Sequence, residues 1–120
     1  MFTEDYISFE IAKLLKEKGF DEKTFTYYED GMLCHGDWFE WNRSPLGHIS
    51  APTHQMAMKW LREVHNIAVV IVPSMFWGKY NVSIYKKGND YPIGFDGDSL
   101  ISSYEEACEA AIKYCLTNLI

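Results

Sequence analysis

Cys34, His35, Asp37 and His48 are the first side chains to invite a chemical reading, because thiolate, imidazole and carboxylate are zinc ligands. Structural zinc sites declare themselves by paired short spacings such as Cys-x-x-Cys or His-x3-His, and neither pairing is present. The better reading is a half-buried Cys34, with His35 and Asp37 in solvent after a hairpin. His54 and His65 share a helix face, but their separation along the axis is about 16 Å, too far to grip one ion. Asp96-Gly97-Asp98 begins like a calcium loop, yet the twelfth position from Asp96 is Ala107, where a bidentate glutamate is required. Neither a metal nor a cofactor is expected.

A serine nucleophile is the next chemistry to weigh. Gly97-Asp98-Ser99-Leu100 spells the GDSL string and in that respect resembles a large esterase family, whose serine is served by a base from a later Asp-x-x-His. That order needs a histidine downstream of Ser99, and the last histidine is His65. The string then reads as a polar turn before the last helix, and no catalytic set is expected. Cys108 and Cys115 lie on one helix face about 10.5 Å apart along the axis. Disulfides need Cα separations of roughly 4.4 to 6.8 Å, so these two cannot bridge. Three cysteines, an odd count, fit a reducing compartment.

What the chain carries in excess is aromatic surface. It has four Trp, eight Tyr and seven Phe, most of them within residues 20–41 and 76–95, more than a core of 120 residues needs. Trp60 reads as core, as do Phe25 and Tyr27 or their neighbours. Trp38, Trp41, Phe76 and Trp77 fall in expected loops or strand ends, where exposed aromatics mark binding surfaces, and they form the candidate interaction surface. The competing explanation is that they fold over the open end of a small sheet.

The elements that position these residues follow from periodicity. Ile7, Ile11, Leu14 and Leu15 recur at helical spacing over about Ser8 to Lys18, and Gly19 with Phe20 stops that helix. Residues 24–29 are rich in aromatics and β-branched side chains, and Asp30-Gly31 is a strong two-residue hairpin signal, so Met32 to His35 should pair back on Phe25 to Tyr28. Gly36 to Ser50 reads as a short strand leading into a loop. A second helix should begin near Pro52 or Thr53 and run to about His65, burying Met56, Ala57, Trp60, Leu61 and Val64. Ile67 to Val72 reads as a buried strand, Lys79 to Lys86 as an alternating strand with one wet face, and Tyr91 to Phe95 as a short third strand. Ser103-x-x-Glu106 has capping-box spacing ahead of a last helix, Tyr104 to Leu119, with a face of Ala107, Cys108, Ala111, Cys115 and Leu119.

The expected architecture is a single α+β domain over residues 1–120. Three helices cover an antiparallel sheet of four to five strands in the order α-β-β-α-β-β-(β)-α. From Thr53 onward the order resembles double-stranded RNA-binding domains, whose RNA contacts depend on a basic cluster at the start of the last helix. Here that start is Ser103-Tyr104-Glu105-Glu106. The helical segments from Ile7 to Phe20, Ala51 to Ile67 and Ser103 to Ile120 resemble a family of small uncharacterised proteins common in gut Bacteroides-type bacteria and their phages or mobile elements. The resemblance supplies no activity and no catalytic residue, and implies a mobile-element or phage accessory protein.

Charge decides among partners. The net charge of -6 is uneven: residues 1–89 are nearly balanced, while residues 90–120 hold only Lys113 against six acids. Phosphate contact depends on Lys and Arg, so nucleic acid is a disfavoured partner. Met1 to Ser8 carries Glu4 and Asp5 and no cationic n-region, and the longest strongly apolar run, Ile67 to Val72, is far short of the roughly 20 residues a membrane helix needs. The expectation is a cytoplasmic, non-enzymatic interaction protein whose aromatic hairpin meets another protein or a second copy. The alternatives are a small-ligand-binding or enzymatic domain with a Tyr- and Trp-lined pocket using His35, His48 or Asp98, and RNA binding through the α-β-β-β-α portion.

Overall fold

The computed structural model describes residues 5–74, 78–89, 91–93 and 101–120. Among these residues the fold is α+β, with three α-helices and antiparallel strands, and the chain divides into two compact units, residues 1–57 and residues 58–120. In place of one sheet of four to five strands, the described residues form two sheets, of three and two strands.

The first unit opens with α1 (Phe9–Glu17). Ser8 caps it, its hydroxyl accepting from the Ile11 N–H. At the other end Gly19 takes φ 92°, while the Phe20 N–H reaches back to the Leu15 carbonyl and the Gly19 N–H to Lys16. Phe20 is buried in the core, as are Ile11, Ala12 and Leu15 of the helix. β1 (Thr24–Glu29) and β2 (Met32–Phe39) form the expected hairpin. Asp30 and Gly31 sit at φ 52° and 79°, the double left-handed conformation that matches strand twist. β1 also pairs antiparallel with β3 (Ile49–Ser50), so the order is β2-β1-β3 and β2 is an edge strand.

Two expectations about this unit are corrected. β2 extends to Phe39, because Gly36 to Trp38 form a bulge opposite Phe25, between the pairs Thr26–His35 and Thr24–Phe39. The loop beyond contains a 3-10 turn, Trp41–Arg43, and then β3. Second, the inward face of β1 belongs to Thr24 and Thr26, and Phe25 points outward. The threonines can be buried because each hydroxyl donates to a carbonyl, Thr24 Oγ1 to Thr26 and Thr26 Oγ1 to Ala51.

α2 (His54–His65) begins in the first unit and ends in the second. Thr53 caps it, accepting from the Met56 N–H. Ala57, Met58, Trp60 and Leu61 are buried, but Val64, expected in that stripe, is half-exposed. In the second unit β4 (Ile67–Pro73) and β5 (Tyr80–Lys86) pair in unbroken antiparallel register from Ile67–Lys86 to Pro73–Tyr80. Of the expected third strand, residues 91–93 are described, and Ile93 makes a single bridge to Ile84. α3 (Tyr104–Asn118) is capped by Ser103, which accepts from the Glu106 N–H, and lies on β4 and β5. Its buried face of Ala107, Cys108, Ala111, Ile112, Cys115 and Leu116 alternates small and larger side chains, which lets the helix approach the strands closely.

Candidate functional site

The aromatics of the β1–β2 hairpin sort into two groups by what they touch. The inner group is built around Tyr27. Trp41 stacks on it at 4.1 Å between centroids, and His48 meets both rings edge-on, at 4.7 Å from Tyr27 and 5.2 Å from Trp41. Phe39 adds an edge to Trp41 at 5.0 Å. The Trp41 indole N–H donates to the Thr24 carbonyl, so this ring closes the bulged end of the hairpin and is half-buried. Gly36 makes room for it: a Cβ there would stand 2.9 Å from Trp41 Cζ2 and 3.0 Å from Tyr27 Cε1. Burial, then Cys34 and Glu29, raise the Tyr27 phenol above its usual 10.0.

His48 has the contacts that most resemble catalytic machinery. Ser44 Oγ lies 2.9 Å from its Nδ1, and Glu29 Oε1 lies 3.8 Å from its Nε2. A Ser-His-acid row is the arrangement of a nucleophile and its base. Here, however, the serine hydroxyl accepts the Leu46 N–H and holds a tight turn. The Glu29 separation is beyond hydrogen-bond length, and the imidazole is wedged against the edges of two rings. With Lys16 Nζ donating to the His48 carbonyl, the group clamps the loop before β3. The same loop is fixed by Asn42, which donates to the Phe20 carbonyl and exchanges hydrogen bonds with Ser50, and by Arg43, which bridges Asp21 at 2.7 Å and Glu40 at 3.1 Å. Both ion pairs raise the Arg43 guanidinium further.

The outer group faces solvent. Phe25 is 58% exposed and Trp38 47%, their rings 4.8 Å apart; Met32 and Leu33 are exposed on the same hairpin, and Phe39, whose ring touches Trp41, is half-exposed between the two groups. Of the two tryptophans of this hairpin region, Trp38 is thus exposed and Trp41 is a half-buried supporting ring. Phe76 and Trp77 lie outside the described residues, as do Asp98 and the Gly97 to Leu100 string. Phe25, Met32, Leu33 and Phe39 are exposed as well, although the sequence did not single them out for a surface role. The signal available was Asp30-Gly31, since a hairpin projecting around that turn leaves its outer strand uncovered. Carboxylates flank the exposed residues in sequence, Glu29 and Asp30 at the turn and Asp37 and Glu40 at the far end of β2, the last paired with Arg43.

Cys34 is half-buried and His35 and Asp37 are exposed, as expected. Among the described residues no three of His, Cys, Asp and Glu converge as metal ligands, and no helix is long and apolar enough to cross a membrane. Compared with protein-family models, curated proteins and solved structures, the chain finds no match.

Proposed function

We propose that this chain is a non-enzymatic protein-interaction factor, a cytoplasmic accessory protein of a phage or mobile element, that docks a partner protein on its β1–β2 hairpin. One observation carries the reading: an eight-residue edge strand, β2, on whose hairpin Phe25, Met32, Leu33, Trp38 and Phe39 are all exposed. An uncovered edge offers backbone N–H and C=O groups to an added strand, and the aromatics supply the apolar anchors that dominate binding energy. The flanking carboxylates favour a partner with Lys or Arg around an apolar strand or groove, and disfavour a second copy, whose carboxylates would face these.

The test compares wild type with Phe25→Ser/Trp38→Ser by sedimentation at micromolar concentration and by pull-down from host lysate. Capture of a discrete protein by wild type and its loss in the double variant support docking at the hairpin. Self-association abolished by the variant would make the partner a second copy. A strict monomer from which the same proteins are recovered with either form refutes the reading.

A further inference from the structure

A second feature lies in the other unit, remote in sequence from the hairpin. Where β4 begins and β5 ends, a concavity of about 380 Å³ is lined by Arg62, Asn66, Tyr85, Lys86, Lys87 and Gly88 among others, with no acidic side chain among the described residues of its wall. The chain builds it with two left-handed residues: Asn66, at φ 58°, turns α2 into β4, and Gly88, at φ 96°, turns the chain away from β5. The Lys87 N–H donates to the Asn66 carbonyl and the Asn89 N–H to Lys86, which ties the two turns together and holds Arg62, Lys86 and Lys87 around one space.

These three cations have no ion-pair partner among the described residues, in a chain with 17 acidic side chains. Holding like charges together without a counterion is unfavourable, so the arrangement fits an anion. We infer that this concavity binds the phosphoryl group of a small phosphate ester. Arg62 offers a planar fork suited to two phosphate oxygens, and the two lysines add point charges. The volume is at the lower end for small-molecule sites. The half-exposed Tyr85 ring gives the organic part of the ester a surface to lie on. A polynucleotide fits less well, because it needs a basic track, and α3 in the same unit starts with Glu105 and Glu106. Burial and the charge of Lys86 hold the neighbouring His65 below its ordinary 6.5, which provides an independent reporter: an anion beside Lys86 should let it rise.

The experiment is an NMR titration of the full chain at low salt with inorganic phosphate, adenosine monophosphate, adenosine and a duplex RNA. The expected result is saturable shifts centred on Asn66, Gly88 and Asn89 with phosphate and the monophosphate, none with adenosine, and an upward move of the His65 titration. Lys86→Ala/Lys87→Ala should weaken binding at least about tenfold, while Lys59→Ala, on the exposed side of α2, leaves it unchanged. Shifts scattered over all lysines, equal losses in both variants, or no saturation would overturn the inference. So would an RNA footprint running beyond the concavity with affinity well above that of the monophosphate.

Discussion

Trp41 lies flat against Tyr27, ring centroids 4.1 Å apart and planes 28° from parallel, directly over the position where Gly36 lacks a side chain. This contact makes the bulge in β2 possible: the indole caps the irregular end of the hairpin and returns its N–H to Thr24. The exposed pair Phe25 and Trp38 is thereby presented from a fixed support.

Gly36→Ala should therefore cost about 1 to 3 kcal/mol, because the new methyl must displace Trp41 or Tyr27. Urea unfolding measures the loss, and tryptophan fluorescence should shift as the Trp41 ring moves. An unchanged midpoint and spectrum would mean that the stack does not support the bulge.

The inverted face of β1 yields a contrast between adjacent positions. Phe25→Ser should change stability by no more than about 0.5 kcal/mol, as exposed sites do. Thr26→Val keeps the volume but removes the donor to the Ala51 carbonyl, and should cost about 1 to 3 kcal/mol. Denaturant melts of the two variants side by side decide it.

Only Cys34 should react readily with a thiol reagent under native conditions. Cys108 and Cys115 are fully buried, and burial pushes the Cys115 thiol up to about 12, so its thiolate is scarce at neutral pH. Mass spectrometry should find one fast adduct on the native chain and three after unfolding. Ser103→Ala, by removing the cap at Glu106, should lower stability by about 1 kcal/mol and ease labelling of the α3 cysteines.

The burial of His65 fixes the sign of one pH effect. Its folded-state pKa is depressed, first by burial and then by Lys86, so the unfolded chain takes up the proton first as pH falls. The contribution is fully present above the ordinary value of 6.5 and is lost as pH drops through the lower folded value. Replacing His65 with Gln should flatten stability between about pH 7 and 5 relative to wild type, measured by urea midpoints.

Much of this fold is legible where local chemistry is unambiguous. Ser8, Thr53 and Ser103 are caps because each hydroxyl meets a free N–H three residues on, and Asp30-Gly31 takes the backbone that two-residue hairpins demand. The inward face of β1 is not legible, because Thr-Phe-Thr-Tyr suits a strand with either set turned inward. What decides it is the Ala51 carbonyl that accepts from Thr26, a contact 25 residues away. The extension of β2 is likewise set by Trp41 over Gly36, a distant packing event without a local signature. For the candidate surface, aromatic excess pointed to the hairpin, but only the three-dimensional arrangement separates the supporting Trp41 from the exposed Trp38.

The central claim is that the outer face of the hairpin binds another protein, and the most direct measurement is capture by wild type against Phe25→Ser/Trp38→Ser, with both confirmed folded by identical melting. Docking at this surface predicts a discrete partner recovered with wild type and lost with the variant, and weakened by salt through the flanking carboxylates. Equal recovery with both forms would contradict it.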